Sequence, residues 1–182
     1  MKKLLILSFL LAQSLCVFSQ KYMTQSGTIS FFSEAPIENI ESTNNQVSSV
    51  INLENGQLAF SLLMKAFVFE KALMQEHFNE KYVESEIYPK AIFKGQIQDF
   101  DSMELSTNPL DVKVIGTLTI HGESHEITNV GQMYFDENNR IRVNSKIEVA
   151  LDQYKIKIPS SVQENISNTI AITIQMEYEK LD

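Results

Sequence analysis

Phe67 to Gly95, FVFEKALMQEHFNEKYVESEIYPKAIFKG, is the one stretch of this chain with a helical pattern. Ala72, Leu73, Met74, Gln75 and Glu76 are good helix formers, and none is β-branched. Leu73, Met74, His77 and Phe78 recur at i, i+3 and i+4, which places them on one side of a short helix over about residues 70–83. Glu70, Lys71, Gln75, Glu76 and Lys81 fall largely on the other side. The helix cannot run past Tyr88, because Pro89 pushes its predecessor into extended geometry. Beyond Pro89 the period becomes two: Ala91, Phe93, Gly95 and Ile97 alternate with Ile92, Lys94, Gln96 and Gln98. In a closed antiparallel sheet, such a helical segment would lie across an open end or against the wall.

Toward the N-terminus, Tyr22 to Ser26 reads as a lead-in. Gly27 to Ser33 reads as a strand with Ile29 and Phe31 on one face. The stretch from Ile37 to Val50 is polar and the least regular, with Asn44-Asn45 as a plausible turn. Asn55-Gly56 signals a hairpin and launches a strand with Leu58, Phe60, Leu62 and Met64 on one face. Phe67 and Phe69 then take over that face, and the one-residue slip predicts a bulge or bend.

Toward the C-terminus, Val112, Val114, Gly116, Leu118 and Ile120 form an alternating face, followed by a turn at Gly122 to Ser124. Glu126 to Phe135 returns, and Asp136 to Asn139 is a turn. Ile141, Val143, Ser145, Ile147, Val149 and Leu151 form the next inward face, and Ile170, Ile172, Ile174, Met176 and Tyr178 the last. About eight strands with short turns predict an all-β up-and-down barrel or sandwich with one helical excursion.

Residues 1–19 read as a signal peptide: Lys2 and Lys3, an apolar run from Leu4 to Leu15, and a cleavage site near Ser19-Gln20. That run is shorter than the roughly 20 residues a membrane span needs. Cys16 follows Leu15 where a lipid-anchored chain would carry a small residue. A periplasmic or secreted protein is therefore expected, not an integral membrane protein. Of 15 basic residues, removing Lys2 and Lys3 leaves 13 against 23 acids, a balance of −10. This charge argues against nucleic acid or anionic membrane as partners. The mature chain would lack cysteine, which removes disulfides, thiolate metal sites and a Cys nucleophile.

Two motifs carry a family resemblance. Tyr88-Pro89-x-Ala91-x-Phe93 leads into a strand after the helical segment, and GTLTIHGESHEIT, Gly116 to Thr128, reads as strand, turn and outgoing strand. In this order and in an all-β chain, they resemble the YceI-like family of polyisoprenoid-binding, lipocalin-like proteins. The resemblance implies a lipocalin-like antiparallel barrel as a single domain over residues 20–182. It implies no reaction and no cofactor, with an isoprenoid or quinone held along the barrel axis as ligand. The strand parities then put Phe31, Phe60, Leu62, Met64, Phe67 and Phe69 around the ligand, with Phe93, Val114, Leu118, Ile147, Ile172 and Ile174. Leu73, His77 and Phe78 would stand at the mouth, where His77 could bond a polar head. A register error of one would turn any of these strands inside out. Periodicity alone reports burial and not vacancy, so a filled core has the same signature.

His121 and His125 have a spacing that chelates zinc on a helix, but here they flank a turn, where surface histidines are the simpler reading. His77 beside Glu76 and Glu80 could do acid–base chemistry, yet no nucleophile elbow accompanies it. The rival to a lipid carrier is an envelope interaction or stress-response module with a filled core. Phe32, Ile92 and Ile115 would then form an outer patch for a partner or a homodimer.

Overall fold

Alternating side chains close into a ring in the computed structural model, which describes residues 20–36 and 39–181. The signal segment 1–19, with Cys16, and Ile37 lie outside the described residues. The strands are β1 (Lys21–Ser33), β2 (Ile40–Asn52), β3 (Gln57–Leu63), β4 (Val68–Phe69), β5 (Lys90–Ile97), β6 (Leu110–Ile120), β7 (Glu123–Phe135), β8 (Ile141–Ala150) and β9 (Thr169–Lys180). All pairings are antiparallel, in the order β1-β9-β8-β7-β6-β5-β3-β2, and β1 pairs with β2 to close an eight-stranded barrel. The two-residue β4 pairs with β2 beside β3, so β3 and β4 are one interrupted strand. A 3-10 turn at Met64–Ala66 makes the interruption, where the alternation slips in the sequence.

The inward parities read from the sequence are the buried ones: Ile29, Leu62, Phe93, Ile97, Leu118, Val149 and Met176 are each at most 5% exposed. Complete burial of side chains such as Ile51, Met133 and Ile141 contributes on the order of 2 kcal/mol each.

The polar stretch read as irregular is in fact β2, thirteen residues long, and Asn44-Asn45 is strand rather than turn. Its inward face carries Ser42, Asn44 and Ser49, all buried, which is why it lacks an apolar period. These side chains satisfy backbone groups. Ser42 Oγ donates to Val68 O (2.9 Å) and Asn44 Nδ2 to Leu63 O (2.9 Å), the carbonyls flanking the 3-10 turn. Asn44 Oδ1 also accepts from the N–H of Gln46 (2.8 Å), beside the shift in register between Gly27 and Ile29. An unpaired buried carbonyl is costly, so the break in β3–β4 and the polar face of β2 belong together.

Strand β1 begins at Lys21, so the expected lead-in is already strand. The turn expected at Gly122 to Ser124 is shifted by one: His121 (φ 51°) and Gly122 (φ 78°) form a two-residue loop, and β7 starts at Glu123. Two positive φ values match the primed turn that suits the twist of paired strands.

The helical excursion is α1 (Ala72–His77) followed by a π turn at Phe78–Tyr82. It is fastened by aromatic contacts: Phe78 stacks on Phe31 (5.6 Å) and touches Phe67 (5.6 Å) and Phe69 (5.0 Å). Such pairs contribute about 1 kcal/mol each beyond their burial. At the opposite end of the barrel, Asp136 and Glu177 share Arg140 and Arg142, joining the β7–β8 turn to β9. Among the described residues no helix is long and apolar enough to cross a membrane.

Candidate functional site

Strand ends and the helical excursion enclose a cavity of about 410 Å³, within the ~300–1,000 Å³ typical of small-molecule sites. It occupies only the end of the barrel nearest α1. Its wall comes from Ile29 to Ser33 of β1, Phe60 to Met64 across the end of β3, Ile147 to Leu151 at the end of β8, and Ile170 to Ile174 of β9. Leu118 and Ile120 of β6 and Ala91 of β5 complete the ring. The more exposed lining residues, Lys71 and Leu73, mark the mouth, with Val162, Asn165 and Ile166 on its other rim.

Phe31, Phe60, Leu62, Met64, Phe67, Phe69, Leu118, Ile147, Ile172 and Ile174 line the cavity, as do Leu73, His77 and Phe78. Phe93 and Val114 do not. Both face inward but sit in the packed half beyond the cavity floor, and Phe93 lies stacked under Phe60 (5.3 Å, 18° between rings). Phe78 belongs to the wall rather than the free mouth, since Phe31, Phe67 and Phe69 surround it.

Sequence reasoning missed Ser33, Lys71, Tyr82, Val83 and the segment from Leu151 to Ile166 as lining. Ser33 shares the inward parity of Ile29 and Phe31, which was the available signal. Beyond Leu151, which ends the alternating inward face that starts at Ile141, the segment to Ile166 has neither period, so no pattern pointed to it.

The lining is apolar apart from Ser33, Lys71, His77, Tyr82 and Asn165, and no Asp or Glu stands among its described residues. In a chain with 23 acids and 15 bases, that selection leaves only neutral and basic groups to meet a polar head. Burial pushes the Tyr82 phenol above its usual value, so it stays neutral at physiological pH.

The segment after β8 closes one side of the barrel. β7 and β8 pair only over Gly131–Phe135 and Ile141–Ser145. Beyond that, Tyr154 (1% exposed) and Ile156 (6% exposed) are buried from the chain that follows β8, and Ile156 lines the cavity. His121 Nδ1 bonds Tyr154 O (3.0 Å) and its Nε2 bonds Glu84 Oε2 (2.8 Å). Both partners are acceptors, so the ring fills both bonds when each nitrogen carries a proton. His125 Nε2 donates to Gln153 O (2.8 Å), and Lys155 pairs with Glu123 (2.7 Å). The Lys155 ammonium holds the Glu123 carboxyl below the usual carboxylate range. The histidines therefore bind the wall together. Among the described residues no group of three or more His, Cys, Asp or Glu is placed to hold a metal ion.

A sequence model of the YceI-like domain matches residues 20–178. The chain belongs to the YceI-like family. Solved structures share the fold at low identity. A Saccharophagus degradans domain described as polyisoprenoid-binding and implicated in plant cell wall breakdown is 14% identical (TM-score 0.76), covering 90% of this chain and 99% of that one. BcnA of Burkholderia cenocepacia is 12% identical (TM-score 0.69; 84% and 96% covered), and the Campylobacter jejuni YceI protein 17% (TM-score 0.63; 81% and 90%). A comparison with curated proteins gives no match.

In this YceI-like chain the two motifs of the sequence meet in space. Tyr88 packs edge-on against His121 (4.4 Å) and covers Gly122, where a Cβ would come within 2.7 Å of its ring. The Tyr88-Pro89 step thus docks the end of the helical excursion on the β6–β7 turn.

Proposed function

We propose that this YceI-like protein binds one molecule of an isoprenoid or similar lipid-like compound, such as a quinone. The hydrocarbon chain occupies the cavity, and the polar head stands at the mouth near His77 and Lys71. The protein acts as a carrier in the periplasm or outside the cell and catalyses no reaction. The observation that carries this reading is the apolar cavity of about 410 Å³ beside the helical excursion. Family membership and the likeness to a fold described elsewhere as polyisoprenoid-binding support it. The N-terminal charged and apolar run supports export.

Titration of the mature protein with farnesol, read by displacement of an environment-sensitive fluorescent lipid, tests the reading. Saturable binding of one ligand per chain, with a raised melting temperature, is expected. Ala91→Phe projects a ring into the cavity from the β5 wall and should weaken binding at least tenfold while the barrel stays folded. Equal binding by this variant, or no saturable binding by the wild type, counts against the proposal.

A further inference from the structure

The lower half of the barrel is closed to the cavity, and its closure is specific. Phe60 and Phe93 are directly paired across β3 and β5 and stack at 5.3 Å. Phe60 lines the cavity, whereas Phe93, 5% exposed, lies beneath it. The Phe93 ring is laid away from the cavity over a glycine pair. Gly95 and Gly116 face each other across β5 and β6, and a Cβ on either would come within 2.6 Å of Phe93 Cζ. Opposite, Ile29 pairs with Ile174, and Met176 lies beyond them with its sulfur 2.2 Å from where a Cβ on Gly27 would stand. Below this layer the core is filled by Val47, Ile51, Met133, Ile141 and Tyr178, each at most 2% exposed.

We infer that the Phe60–Phe93 stack is a floor that limits the length of hydrocarbon chain the protein takes. The inference rests on the binding reading above and adds a size class to it. From Ile29 to Ser33 the wall spans four residue steps, a depth of roughly 10 Å at ~3.3 Å per residue and ~40° of strand tilt. The volume of about 410 Å³ holds on the order of fifteen water-sized groups at ~30 Å³ each. That is a chain of about three isoprene units, and further units must stay in the mouth or in water. Removing the Phe93 ring would leave the space above Gly95 and Gly116 as an extension of the cavity.

The test is competition among geraniol, farnesol, geranylgeraniol and solanesol for the mature wild-type protein, read by native mass spectrometry. Occupancy should climb from geraniol to farnesol and then level off, with geranylgeraniol within about threefold of farnesol. A fully buried extra isoprene unit would instead gain on the order of a hundredfold or more. Phe93→Leu keeps a core hydrophobe and shortens the floor; it should move the preference toward geranylgeraniol by about tenfold. Occupancy that keeps climbing to solanesol in the wild type overturns the floor while leaving lipid binding intact. Unchanged preference in a folded Phe93→Leu protein also overturns it. If no member of the series binds, the binding reading itself fails, and the floor with it.

Discussion

Tyr178 shows how much of this barrel depends on single polar atoms in its core. Its hydroxyl donates to Ser49 Oγ (2.8 Å), which donates onward to Ala59 O (2.8 Å), so β9, β2 and β3 are linked inside the packed half of the barrel. Burial pushes the phenol up to about 12, opposed in part by the Ser49 bond. The folded value lies above the unfolded value of about 10. Its stabilisation is therefore complete below pH ~10 and is lost as pH rises through about 12. Tyr178→Phe should lose about 1 kcal/mol at neutral pH, from one hydrogen bond, and flatten the alkaline limb of a pH series of urea melts. Asp136 works in the other direction. Its carboxylate accepts the N–H groups of Arg140 and Asn138 (both 2.9 Å) and bonds Arg142, and foremost the Arg140 N–H holds it below its usual value. Its contribution is complete above pH ~4 and disappears as pH falls through the lowered folded value. Asp136→Asn should remove that acid limb with little change of melting behaviour at low pH. Buried polar residues explain why β2 was misread in the sequence. Ser42, Asn44 and Ser49 look like surface, because a polar side chain does not announce that its partner is a backbone carbonyl of the neighbouring strand.

At the scale of elements, the helical excursion was legible because helix formers, spacing and Pro89 agree. Its continuation as a π turn was not, since no composition distinguishes that turn from α. The segment after β8 left no periodic trace, yet it supplies Tyr154 and Ile156 to the wall. It is held by His121, whose two bonds join it to Glu84 beyond the helical excursion. This tie is the mechanical role of a histidine whose spacing to His125 superficially suggests a metal. His121→Ala should cost about 2 kcal/mol from two lost bonds to partly buried groups. It should also raise hydrogen exchange at residues 151–156 and 84–88 well above that of the β1–β2 ladder. Uniform exchange across these segments would show that His121 does not hold the wall.

For the whole molecule, period-two alternation was enough to read the strands of the ring other than β2, because each has one buried face and a slip of one would reverse it. Vacancy was not readable. Phe60 and Phe93 share parity, chemistry and a directly paired register, yet one lines the cavity and the other fills the core. What separates them is depth along the barrel and the Gly95–Gly116 gap, and neither appears as a period in the sequence. The barrel therefore has a packed half, clasped at its end by Arg140, Arg142, Asp136 and Glu177, and a hollow half under the helical excursion. On the proposed function, the hollow half is a lipid site. Native mass spectrometry of the mature protein purified from its own host, followed by organic extraction, tests it most directly. A discrete added mass on the folded chain that extracts as a short isoprenoid or related single-chain lipid is expected. A bare polypeptide mass that neither extracted host lipids nor added isoprenoids can shift would contradict it.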